Sequence, residues 1–451
     1  MEPLKQAKII FDAAQKELAG HCDLEIYLSL GQGRSISWSE KQCEKISQSE
    51  GGGAGVRVVT SSGQQGYAFT TSLESAAVRQ SAKAALESAQ MMPPDPSRKI
   101  AEKAHRTVDW NEKNFIDSDL FKENIAAVKN RLMSGESELL KKYPDLKSIV
   151  RASFGEGFGE AAIVNSRGIS ASYASSSSSL GVSCLAARAD ERQEGGYGIS
   201  RIFSKQIDWN FVFEESAKRA LCLLGGRPVA SGTVPVIFDP GIACEFFDLV
   251  ANAVCADTVQ KGKSLLAGKI GVTVASPLVT FIDDGILKEG LASSPFDDEG
   301  TPTQCTTLIE KGKLKAYLYD NYSAQKDGVS STGNASRAGY KSSPSVGTSN
   351  FYLQAGKSHR AELLKQTRGI YLYEVMGLHM ADPISGDFSV AAIGAWLEDG
   401  VFQHGVRGVT LAGNILELLK NIDAVCDDLT FFGSTGSPTL RVQGLSLSGA
   451  Q

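Results

Sequence analysis

The stretch AAIVNSRGISASYASSSSSLGVSCLAARA, residues 161–189, decides the fold class. It reads as a hairpin or a meander that turns at Ser166–Gly168, inside a strand-like region from 148 to 205. Working towards the N-terminus, GGGAGVRVVTSSGQQGYAFT (51–70) gives a second hairpin. Its strands are Val56–Thr60 and Gly66–Thr70, with the turn through Gly63. Leu24 to Leu30 alternate as a strand. Between and around these lie helical patterns. Residues 3–19 place Leu4, Ala7, Ile10, Phe11, Ala14 and Leu18 at helical spacing. A helix at 73–91 starts from Thr71 and Glu74, which have capping-box spacing, and PPDP (93–96) closes it. Residues 97–113 are charged and aperiodic, as in a linker. Further helices are expected at 118–134, beginning near Ser118, and at 209–224, ending at Gly225–Gly226.

The C-terminal half is richer in strands. VPVIFD (234–239) is a buried strand, and Pro240–Gly241 lead into an apolar helix at about 242–260. Lys311–Gly312 and Asp399–Gly400 are hairpin turns. A last helix is expected at 411–425 and a last strand near 439–447. Helices and antiparallel hairpins are mixed and regular βαβ alternation is missing, which favours α+β over a doubly wound sheet. The expected architecture is a helix-plus-hairpin N-terminal domain (1–110), a central domain (111–230), and a large, mainly antiparallel, strand-rich C-terminal domain (231–451).

Composition narrows the function. The 451 residues are ample for a large core, so no disulfide or metal is needed merely to fold. Basic side chains number 46 against 51 acidic, a net charge of −5, which argues against direct nucleic-acid binding. No apolar run approaches the ~20 residues that span a bilayer. The N-terminus lacks the apolar core of a signal peptide, so a cytoplasmic, non-membrane protein is expected. The eight cysteines form no CxxC and are read as reduced thiols. Glycine, at 46 residues, exceeds the usual ~7% and points to many tight turns.

The residues taken alone yield no catalytic constellation. The five histidines, His21, His105, His359, His379 and His404, never stand three or four apart, and His-Glu-x-x-His is missing. His21 beside Cys22 reads as chance at a helix end. His379 stands near Asp382 and Asp387, but a lone histidine is more often structural. There is no Gly-x-Ser-x-Gly. Cys244 and Cys255 sit on an apolar helix and read as core. GGGAGVRVV precedes a strand, whereas a dinucleotide fingerprint opens a helix. The acidic pairs Asp283–Asp284, Asp297–Asp298–Glu299 and Asp427–Asp428 could do acid–base work if buried, and otherwise are turn residues.

Long strings, however, resemble one family, the TldD/PmbA proteins. They are GGGAGVRVV…GYAFTTSLE…PPDP, GLASSPFDDEGTPTQCTTLIEKGKLKAYLYDNYSAQKDG (290–328), STGNASR (331–337), GLHMADPISGDFSVAAIGAWLEDG (377–400) and VTLAGNILELLKNIDAVCDDL (409–429). The similarity runs from about 20 to 446. The family was named for modulation of DNA gyrase, and its members are regarded as parts of a metallopeptidase. TldD-like members carry His-Glu-x-x-x-His on the helix that follows the first C-terminal strand, with a downstream cysteine as third zinc ligand. PmbA (TldE)-like members usually lack this set. In PVIFDPGIACEFFDLVANAV the two histidine positions fall on Asp248 and Ala253 and the glutamate on Leu249. The cysteine position falls about on Phe432.

The resemblance therefore implies a PmbA/TldE-like subunit with no cofactor of its own, zinc being expected only in a TldD-like partner. The pair would act in proteolysis and maturation of unfolded peptides, and a homodimer is expected in isolation. Three glycine-containing loops are candidates for holding an extended peptide: SPFDDEG (Ser294, Phe296, Asp297, Gly300), STGNASR (Gly333, Asn334) and ISGD (Ser385, Gly386, Asp387). The alternatives are a homo-oligomeric peptide-binding or scaffold protein, or a stand-alone metallopeptidase with a relocated metal site around His379.

Overall fold

The computed structural model describes residues 2–18, 20 and 22–449; His21 lies outside them. Six strands form one antiparallel sheet: β1 (Cys22–Ser39), β2 (Gln42–Thr60), β3 (Gln65–Thr70), β4 (Leu146–Asn165), β5 (Ser170–Arg188) and β6 (Glu191–Arg201). Their order is β3-β2-β1-β4-β5-β6. The junction of its two halves is β1 on β4, paired from Glu25↔Asn165 to Trp38↔Ala152. Residues 22–70 and 146–201 thus share one sheet, and the boundary expected near 110 falls in the covalent connection between its halves.

Side chains alternate across each strand, so Leu24, Ile26, Leu28, Ile36 and Trp38 share one face. Two helix pairs cover that face. Helices α1 (Pro3–Leu18) and α2 (Ser75–Gln90) bury Ile10, Phe11, Val78 and Ala82 against Leu24, Ile26, Val56 and Val58. Helices α3 (Ile125–Lys142) and α4 (Trp209–Cys222) bury Leu132 and Phe213 against Trp38, Phe154 and Val182. The opposite face carries Glu25, Tyr27 and Arg57, and meets the C-terminal part of the chain through Glu299, Asp298 and Arg337.

In that part, β7 (Gly232–Phe238) lies within a six-stranded mixed sheet, parallel to Gly369–Met376 and antiparallel to Leu440–Ser448. Pairing of Leu411 with Leu447 curls this sheet back on itself. A second sheet holds Phe281–Asp284, Phe351–Leu353 and, at one edge, Thr430–Phe432. Helix α5 (Pro240–Ala253) is buried between the two. Phe246 packs edge-on to Phe238 at 5.2 Å and to Phe388 at 5.1 Å, and Phe247 to Phe281 at 4.7 Å. Helices on one face of an antiparallel sheet, followed by a strand-rich core, make the chain α+β, as its sequence leads one to expect.

Several boundaries differ from the sequence reading. The helix expected at 118–134 begins at Ile125, because Asn124 caps it by accepting from the Ala126 N–H at 2.8 Å. The helix at 73–91 starts from Glu74 with no side-chain cap bond, so Thr71 and Glu74 form no capping box. The apolar helix 242–260 breaks, and a second helix, Ala256–Gln260, follows Cys255. The helix expected at 411–425 is only Ile415–Lys420, because Leu411 and its neighbours pair with Val390 in a strand that runs to Asn414. The turns at Gly168, Lys311–Gly312 and Asp399–Gly400 stand where the sequence places them, each glycine at positive φ.

Candidate functional site

Helix α5 begins with Asp239, whose Oδ1 accepts from the Gly241 N–H at 3.1 Å, and Pro240 occupies its first turn. Of the positions singled out on it, Asp248 faces solvent and accepts from the Thr435 hydroxyl at 3.2 Å. Although Asp248 is exposed, neighbouring protein partly desolvates its carboxyl and raises it above its ordinary range, and the Thr435 bond opposes this. Leu249 packs against the core cluster, and Ala253 is inside it. Five positions along a helix are ~140° apart around its axis, so Asp248 and Ala253 point different ways. Phe432 lies beside the helix start, its ring 3.4 Å from where a Cβ on Gly241 would stand, and meets Tyr197 of β6 at 5.7 Å. Glu245 on the same helix is raised by burial and by Glu374 and Asp248. Among the described residues, no three His, Cys, Asp or Glu side chains gather closely enough to hold a metal ion.

The SPFDDEG and STGNASR loops come together. Asp297, Gly333 and Asn334, with Ser294, Tyr173 and Ser349, line a cavity of about 190 Å³. Ligand pockets run from ~300 Å³ upward, so this one takes a side chain or a few waters. Much of the first loop is spent on the fold. Phe296 packs on Ile163 and Ile169 and edge-on to Tyr173 at 5.3 Å. Gly300 has φ +82°, and a Cβ there would lie 2.6 Å from Ile169 Cγ2. Asp297 is buried and accepts from the N–H groups of Glu299, Thr301 and Ala335 at 2.9–3.0 Å. Gly333, at φ +75°, would press a Cβ to 2.4 Å of the Pro302 carbonyl, so the loop closes only with glycine there.

Asp283 sits beneath this cavity, accepting from Asn334 Nδ2 at 2.7 Å and from the Ser349 N–H and hydroxyl at 2.7 and 2.8 Å. Burial outweighs these bonds and pushes its pKa up to about 6. Between about pH 4 and 6 the folded state therefore binds this proton more tightly than the unfolded state. The Asp283 contribution to stability is present below the unfolded pKa and is lost as the pH rises towards 6. Urea midpoints at pH 4.5 and 7 should show a smaller fall for Asp283→Asn than for the unchanged chain; equal falls would contradict this placement.

The ISGD turn stands apart from the other two loops. Asp382 accepts from the Ile384 and Ser385 N–H groups, and Asp387 from the Ser385 hydroxyl and Asn414 Nδ2. Gly386, at φ +83°, lies against Ile415. His379 is exposed on a short 3₁₀ turn. Both carboxylates near it are thus engaged in shaping the turn.

Two features escaped the sequence reading. One is a buried charge network: Arg57 bonds Glu25 at 2.8 and 2.9 Å and Glu299 at 2.8 Å, and Arg337 also reaches Glu25. Its visible trace was a lone arginine in the apolar strand Val56–Val59. The other is the free edge of β6, with Arg201 at its end, brought close to Phe431 and Phe432. Nothing local in EGGYGISR marks it as an edge.

Comparison with known proteins places the chain in a family. Three profiles match in order: PmbA/TldA metallopeptidase domain 1 at 24–89, the central domain at 119–224 and the C-terminal domain at 231–449. The chain is 28% identical to metalloprotease PmbA of Escherichia coli O157:H7, covering 97% of each chain. It is 29% identical to a metalloprotease TldD homologue of Haemophilus influenzae, over 93% of this chain and 88% of that one. TldE of Thermococcus kodakarensis has the same fold, with a TM-score of 0.90 at 21% identity, covering 98% of this chain and 100% of that one. No helix among the described residues is long and apolar enough to cross a membrane. With all three domain profiles matched along its length, the chain belongs to the PmbA/TldD metallopeptidase family.

Proposed function

We propose that this chain is the PmbA/TldE-like subunit of a TldD/TldE-type metallopeptidase, pairing with a TldD-like subunit that carries the zinc. The observation that carries this is the set of side chains at the family's ligand positions. Zinc in a catalytic site takes three protein ligands and a water, and the water needs a base. Asp248 offers one donor, Leu249 and Ala253 offer none, and Phe432 is a hydrocarbon ring. This donor set does not fit zinc. What the chain supplies is a place for the substrate. An extended peptide pairs with a free strand edge through its main chain, with little demand on its sequence. The β6 edge is such a strand, and Tyr197 on it touches Phe432 at the α5 site. Ser294, Gly333 and Asn334 at the loop cavity, and the ISGD turn, are secondary contacts.

The test is metal content and unfolded-peptide cleavage, measured on the purified chain alone and after mixing with a TldD-like subunit. We expect no bound zinc and no cleavage alone, with chelator-sensitive cleavage in the mixture. Stoichiometric zinc and cleavage by the chain alone would overturn the proposal and favour a metal site elsewhere in the molecule.

A further inference from the structure

We infer that Arg201 is the receptor for a carboxylate of the bound peptide, a role that rests on the peptide-holding function proposed above. Arg201 ends β6. Its Nη1 donates to the carbonyl of Ser200 at 2.7 Å and to that of Phe431 at 3.2 Å, which holds the guanidinium between the β6 edge and the edge strand Thr430–Phe432. A guanidinium has five N–H groups. Among the described residues, those on Nε and Nη2 have no acceptor, and no carboxylate pairs with the side chain.

Three other inward arginines are arranged differently, whereas Arg360 donates to the Tyr371 hydroxyl. Arg57, Arg219 and Arg337 each bond at least one buried or half-buried carboxylate. Carboxylate neighbours push the pKa of Arg57 and Arg219 up despite burial, whereas burial pulls that of Arg201 down against a smaller opposing effect of Tyr197. An anion beside Arg201 would supply what the fold supplies to the others.

The space for that anion exists. A groove of about 350 Å³ runs past Arg201, lined also by Lys288, Leu291, Phe431 and Gly433. Glu289 lines it too, but its carboxylate already accepts from Gln206. The groove is within the size range of ligand pockets, and it combines the Arg201 guanidinium with apolar walls at the end of a free strand edge, while Lys288 lies 3.9 Å from the Glu289 carboxylate. A peptide paired along β6 arrives there with main chain and side chains extended. The chemistry that fits is a carboxylate held by the fork of an arginine. It can come from the peptide's C-terminus or from an Asp or Glu side chain.

The experiment uses the full chain mixed with its TldD-like partner, with a chelator present to stop cleavage, and a fluorescein-labelled unstructured peptide in three forms. One has a free C-terminal acid and no acidic side chain, one is the amide of the same sequence, and one is the amide carrying a single glutamate. Binding is read by anisotropy for the unchanged chain, Arg201→Gln and Arg201→Lys. Charge-assisted bonds contribute enough that Arg201→Gln should weaken the recognised form about tenfold or more. It should leave the plain amide unchanged. Arg201→Lys should recover part of the loss, since it keeps the charge and loses the fork. Preference for the free acid identifies the chain terminus as the source, and preference for the glutamate amide identifies a side chain. Equal binding of all three forms, or indifference to Arg201→Gln, overturns the inference and leaves the helper-subunit function standing. If no form binds to the mixture, both fall.

Discussion

Arg57→Met is expected to cost the chain about 3–5 kcal/mol of stability, the range for breaking a buried ion pair from one side. Arg57 is 3% exposed and lies between Glu25 and Glu299, themselves 0% and 1% exposed. Methionine roughly preserves the hydrocarbon stem and removes the charge. Glu25 keeps Arg337, but Glu299 keeps only the Asn321 N–H, at 2.9 Å. A buried carboxylate left without its cation takes up a proton instead. Burial already raises the Glu299 pKa even with Arg57 present. The deficit of the variant should therefore shrink as the pH falls from 7 towards 5. Urea denaturation at the two pH values measures this, with midpoints preferred to extrapolated energies in a chain of several segments. Lys83→Met, which breaks the exposed pair with Glu87, is the control and should move nothing measurable. An Arg57→Met midpoint equal to that of the control would mean that the network does not hold the sheet to the C-terminal core.

The second large effect is expected at Asp239, which joins the central helices to that core. Its Oδ2 accepts from Arg219 at 3.0 Å and from the Tyr371 hydroxyl at 2.9 Å, while its Oδ1 caps α5. Arg219 also bonds Glu215 and lies over the rings of Tyr197 and Tyr373. Asp239→Ala removes a cap worth ~1 kcal/mol and leaves a buried guanidinium with one acid instead of two, for a total of about 3–4 kcal/mol. Asp239→Asn restores the cap and an acceptor for Tyr371 without the charge, so it should fall between Ala and the unchanged chain. If Asn and Ala are equally damaging, charge pairing with Arg219 is the dominant part. If Asn matches the unchanged chain, the electrostatic account of this joint is wrong.

These two joints show where sequence reasoning stopped. Turns were legible because their signal is local: Asp399–Gly400 and Lys311–Gly312 need positive φ, and the pairs of residues there tolerate it. The full length of β2 was not. Residues 42–51 are mostly polar and exposed and 52–55 are Gly-Gly-Ala-Gly, and they are strand because β1 pairs with them from Ser39↔Gln42 onward. The acid run Asp297–Asp298–Glu299 is likewise ambiguous on paper, where solvated turn and buried charge look alike. Its burial follows from Arg57 and Arg337, and Glu25 and Arg337 are 312 positions apart.

The sequence by itself determined the fold class, the turn positions, the helices α1, α2 and α4, the family, and the identity of the side chains on α5. Each of these depends on a residue's own chemistry or on neighbours a few positions away. Tertiary structure alone decided that residues 22–70 and 146–201 share a sheet, that Asp283 and Glu299 lie in the interior, and that β6 is an edge strand ending in an arginine with no carboxylate partner among the described residues. Strand pairing, desolvation and charge pairing are relations between distant segments, and their energies exist only once the chain has brought those segments together.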